Sequence, residues 1–263
     1  MYNTTKQTLL NAPVPQQTRT YKPVSHVQLM DLTMQGIEKA GFTLDREMYS
    51  AARDGAIANG RFTIRNVMDK EMQLEVGWQN SYDKSLTLKF AIGTRIMVCQ
   101  NGCVFGDYGA FKKKHVGEIQ TFAPHAITEY IKGAGEVFRR MQEQRDRMKE
   151  IEVSRRTQAE LIGRMMLEDQ FIQSTQLNVI SRELNKPTFD YGAPGSMWEL
   201  YQFTTQSMRE THPSLWMDNH IKAHNFFVNE SGILAAPPQM VDVIEEIIAE
   251  PAINISQFSS FTL

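Results

Sequence analysis

Met72, Leu74, Val76 and Trp78 alternate with Gln73, Glu75, Gly77 and Gln79, and Leu86, Leu88, Phe90 and Ile92 alternate with Thr87, Lys89, Ala91 and Gly93. A period of two sends successive side chains to opposite faces, so both segments read as half-buried strands of an antiparallel sheet. Between them Asn80, Ser81, Asp83 and Ser85 supply side-chain oxygens that cap their own backbone in a tight turn. Gly93 predicts a bend or bulge. Arg95 to Gln100 and Cys103 to Phe105 predict a hairpin about Asn101-Gly102. A two-residue turn there sets Gln100 opposite Cys103 and Cys99 opposite Val104. Phe62-Thr63-Ile64 reads as strand, Phe42-Thr43-Leu44 as a short strand or link, and Glu47 to Ala58 as strand or helix.

Other stretches carry a helical spacing. Ser25 is a candidate N-cap for a helix through Leu29, Met30, Thr33, Met34 and Ile37 that stops at Gly41. Pro124 is expected to open a long helical stretch with a broken apolar stripe (Ile127, Ile131, Phe138, Met141, Met148, Ile151), interrupted by Gly133, Gly135 and Gly163. Asn185-Lys186-Pro187 ends that block. Ser196 followed by Glu199 has the form of a capping box for a helix to Thr211, and further helices are expected over 213–227 and 241–249. The fold class is therefore α+β: an antiparallel sheet packed by helices, then a long helix and a mostly helical C-terminal half. The expected organisation is a flexible, proline-bearing arm (1–24), an α+β sheet domain (25–122), a helical region packing on the sheet (123–250) and a tail (251–263).

Composition narrows the function. With 28 basic and 30 acidic residues the net charge is -2, which excludes a globally cationic nucleic-acid binder but not a local basic stripe. No apolar run nears the roughly 20 residues that span a bilayer, and no signal peptide is apparent, so the expected location is the cytoplasm. Two cysteines are too few for a disulfide framework. In the predicted hairpin Cys99 and Cys103 face opposite sides of the sheet, which suits neither a disulfide nor a metal.

The basic knot Lys112-Lys113-Lys114-His115 follows Tyr108 and Phe111. Cations that meet phosphates beside rings that stack on bases suit a nucleic-acid strand, and a solvated loop is the plainer reading. The charges between Arg139 and Arg156 have the spacing of ordinary helix-surface pairs, with a subunit or nucleic-acid interface as the alternative. His220 and His224 lie one helical turn apart but lack the glutamate of the zinc-protease pattern and an evident third ligand. Ser81, Asp83 and Ser85 sit in no nucleophile elbow, and no phosphate-binding glycine loop is present.

Taken in order, Trp78-x-Asn80-Ser81-x-Asp83-x-Ser85, Leu88-x-Phe90-Ala91-x-Gly93, Val98-Cys99-x-Asn101-Gly102, and Phe111 with a basic residue before His115 resemble the phage and plasmid family catalogued as domain of unknown function 932. Trp198-Glu199-Leu200-Tyr201 resembles a helix in the C-terminal part of that family, and the likeness runs from about residue 30 to about residue 210. At Gln79-Asn80-Ser81-Tyr82 the chain departs from the family, which often has a histidine before the aspartate. The resemblance implies a mobile-element protein and transfers no catalytic residue.

The expectation is a non-enzymatic, self-associating phage protein of DNA metabolism that binds single-stranded DNA, in the manner of an annealing factor. Arg95, Lys112, Lys113, Lys114 and His115 are the expected contacts, with Tyr108 and Phe111 stacking. Neither cofactor nor metal is expected, and no membrane partner. The competing reading is an anti-defence protein that binds a host defence protein through its charged helix and methionine-rich faces.

Overall fold

The structure is a computed structural model that describes residues 2–65, 69–98, 102–104, 109–211 and 215–233. Among the described residues seven strands form one antiparallel sheet: β1 (Tyr2–Thr4), β2 (Leu44–Ala52), β3 (Ile57–Ile64), β4 (Met72–Ser81), β5 (Leu88–Ile96), β6 (Gly102–Val104) and β7 (Ala110–Lys113). The order is β1-β2-β3-β4-β5, and β6 and β7 share the outer edge of β5. Among the described residues eight α-helices complete the fold: α1 (Lys6–Leu10), α2 (His26–Lys39), α3 (Ile119–Lys132), α4 (Ala134–Glu150), α5 (Arg155–Leu167), α6 (Ser174–Asn185), α7 (Met197–Ser207) and α8 (Trp216–Glu230).

One face of the sheet is the main core. Tyr49, Gly60, Trp78, Phe90 and Phe111 stand in register across β2, β3, β4, β5 and β7. Phe90 and Phe111 stack with centroids 5.7 Å apart, and both meet Tyr130 of α3 edge-on. Full burial of a phenylalanine of this kind contributes roughly 2–3 kcal/mol. Gly60 lies beneath the Trp78 indole, where a Cβ would come within 2.5 Å of the ring.

Several expectations hold locally. Ser25 caps α2, accepting from the Gln28 amide, and Gly41 follows the helix at positive φ. In the β4–β5 turn Asp83 accepts from the amide and hydroxyl of Ser85, and Ser81 Oγ accepts from the Leu86 amide. Ser196 caps α7 through the Glu199 amide. The return bond of that capping pair goes to the Gly195 amide, one residue earlier than the motif predicts.

Other expectations are corrected. The arm is packed: β1 pairs with β2, Leu9, Tyr21 and Val24 are buried, and Lys6 bridges to Glu47. Enough apolar side chains punctuate the polar sequence to anchor it. Pro124 lies inside α3 rather than at its start, because Ile119, Phe122 and Ala123 bury the turns before it. The helical stretch is interrupted at Gly133, as the sequence implies: α3 and α4 meet there, and α4 runs to Glu150. Gly93 pairs regularly with Glu75, and the register shift falls at Leu44/Arg46 instead. Cys103 pairs with Thr94, not Gln100, so the hairpin is wider than a two-residue turn. Cys99, Gln100 and Asn101 lie outside the described residues, as do the predicted helix at 241–249 and the tail at 251–263. No helix among the described residues is long and apolar enough to cross a membrane.

Candidate functional site

The second face of the sheet is polar, and helix α8 crosses it. Ser50, Asn59, Gln79, Lys89 and Lys112 form one row across β2, β3, β4, β5 and β7. The next row is Met48, Arg61, Gly77, Ala91 and Ala110. The small residues Ala91 and Ala110 let Met217 and Trp216 of α8 pack down on β5 and β7. This docking brings Asp218 to the cations. Lys89, only 4% exposed, donates to Asp218 at 2.8 Å, and Lys112 approaches the same carboxylate at 3.6 Å. Arg61 stands 4.0 Å from Glu75, which also accepts from Thr63. Arg95 lies on the same face as Lys89, six residues along β5, and is half-buried. The face thus presents Arg61, Lys89, Arg95 and Lys112 against two carboxylates.

His220 of α8 points toward this face. It is buried, its ring lies 4.4 Å from that of Trp216, and its Nδ1 has no hydrogen-bond partner among the described residues. Burial, reinforced by the positive charge of Arg61, pushes the imidazole down to about 3. It is neutral at physiological pH and can donate or accept through Nδ1, according to tautomer.

The expected contacts separate. Lys112 projects from the second face and is well exposed. Lys113 alternates to the core side, its Nζ 4.5 Å from the Phe122 ring centroid. Lys114 is exposed past the end of β7. His115 is buried edge-on to Tyr21, and burial lowers its pKa. Phe111 is 4% exposed within the core, so its ring is not available to a nucleobase. The reason is the strand itself: alternation along β7 sends Phe111 and Lys113 one way and Lys112 the other. Tyr108 lies outside the described residues. Arg61, Lys89, Trp216 and Asp218 are not singled out by the sequence as site residues, and His220 only as a candidate metal ligand. The polar positions of β3 and β5 marked the first two, but nothing local announced that a helix 129 residues beyond Lys89 would land on them.

The remaining clusters resolve into structure. Arg139 pairs with Glu136 and Glu143, and Arg140 with Glu136, all within α4. Arg145 and Lys149 clamp Asp69 and Glu71 of the loop before β4. Met141 and Met148 of α4 are buried in the core. His224 meets the Tyr201 hydroxyl through Nδ1 at 3.2 Å. Among the described residues no cluster of three His, Cys, Asp or Glu side chains could hold a metal.

No curated protein and no solved structure matches the chain. A family model does, over residues 16–225, which takes in strands β2 to β7, Trp216, Asp218 and His220. The chain therefore belongs to the family described as a domain of unknown function, DUF932.

Proposed function

We propose that the protein is a non-enzymatic, self-associating factor of mobile-element DNA metabolism, working in the host cytoplasm, that holds single-stranded DNA across the second face of its sheet and promotes annealing. The observation that carries this reading is the register that sets Lys89 opposite Lys112, with Arg95 and Arg61 on the same face. The exposed Lys112 and the half-buried Arg61 and Arg95 meet backbone phosphates, and Lys89 anchors Asp218 beneath them. Three contacts per subunit give a salt slope of about -2 for a single strand. That is weak alone, and it becomes strong when copies align along one strand. The outer edges of β1 and of β6 and β7 have no strand partner among the described residues, and edge pairing between copies would extend the face.

Mass photometry of the full chain, with and without an oligothymidylate strand, tests assembly and binding together. The expected result is a larger particle with the strand than without it. A monomer that ignores the strand at low salt would overturn the proposal.

A further inference from the structure

We propose that the Trp216 ring is a base-stacking platform on the cation-bearing face, taking one nucleobase of a single strand between two phosphates. This rests on the reading of the face as a single-strand surface and adds the group that tells a base from bare backbone.

The chain has three tryptophans, and Trp78 and Trp198 are buried in the main core. Trp216 is only half-buried, on the polar side of the sheet, over the small side chains of Ala91 and Ala110. An aromatic ring with reachable surface on the face that carries Lys112 and Arg61 has the composition of a stacking platform for single strands. His220 backs this ring from within the protein: it is 2% exposed and its ring lies 4.4 Å from that of Trp216. Stacking tolerates every base, so the subsite distinguishes base from no base and gives little sequence preference.

The test compares a labelled oligothymidylate with an abasic sugar–phosphate strand of equal length, by anisotropy and by tryptophan fluorescence. The wild-type protein is expected to bind the thymidine strand about ten-fold more tightly, and only that strand should quench Trp216. Trp216→Ala should lose the preference while keeping its affinity and salt slope for the abasic strand; Trp216→Phe should retain most of the preference. Equal wild-type affinities without quenching, or a full preference surviving in folded Trp216→Ala, would overturn the subsite and leave the face reading standing. Binding of neither strand at low salt would overturn both.

Discussion

Lys89 and Lys112 stand directly opposite each other on β5 and β7 and share one carboxylate, that of Asp218, which α8 carries across the sheet. Two ammonium groups side by side are tolerable because Asp218 lies between them and the exposed Lys112 keeps its water. The same arrangement places a positive rim where α8 meets the sheet.

Breaking this contact from either side should cost stability. Lys89→Met takes the buried ammonium from Asp218, and Asp218→Asn takes the carboxylate charge from Lys89; each is expected to lower stability by about 2 kcal/mol in urea denaturation. The double variant Lys89→Met/Asp218→Leu should recover most of that loss, because a buried pair replaced by apolar groups is often neutral. On the binding side, Asp218→Asn removes one negative charge from the face and should tighten single-strand binding.

Acid should unfold the protein through its histidines. His26, His220 and His224 are buried, and burial, the main cause in each, pushes them down to about 4, about 3 and about 4. The neutral form of His26 is held in place as Nε2 meets the Gly55 carbonyl and Nδ1 meets the Asn80 amide, with Tyr82 stacked on the ring. In the unfolded chain these groups take a proton near pH 6.5, so between there and the folded values the unfolded state binds more protons. Stability is full above pH 6.5 and falls as the pH drops towards 4, by about 2 kcal/mol per histidine at pH 5. Asp69 extends the loss to lower pH. Burial raises its carboxyl, but hydrogen bonds from Gln142, the Glu71 and Met72 amides and Arg145 outweigh that and leave it below the usual range. Denaturation midpoints at pH 7.5, 6, 5 and 4 should show a steep decline beginning near 6.5; a flat profile down to pH 5 would contradict the neutral, buried assignment.

Gly60 is a steric requirement of the core. A Cβ there would lie 2.5 Å from the Trp78 ring, which is fully buried and cannot yield cheaply. Gly60→Ala should cost about 2 kcal/mol or more in a denaturation experiment, within the range of overpacked cores. Gly163 is the control: a Cβ there meets nothing within 4 Å, and Gly163→Ala within α5 should be neutral or stabilising.

Alternation made β4 and β5 legible in the sequence, and side-chain oxygens did the same for the turn between them. β7 is only four residues long, too short to show a period, so Phe111-Lys112-Lys113 read as a run of neighbours. As a strand, the run splits between two faces, which removes Phe111 and Lys113 from the polar one. Pro124 misled because tertiary burial before it outweighed a local signal. The contact between Asp218 and Lys89 joins residues far apart in the chain, and spacing carries no trace of it.

The most direct measurement of the central claim compares Lys112→Glu with Lys113→Glu for binding to an oligothymidylate strand over a series of salt concentrations. The two lysines are adjacent in sequence and occupy opposite sides of the sheet. Lys112→Glu should weaken binding and reduce the salt slope by about 0.7 or more, while Lys113→Glu should leave the slope unchanged. Equal losses from the two variants, or no loss from Lys112→Glu, would contradict binding on the second face.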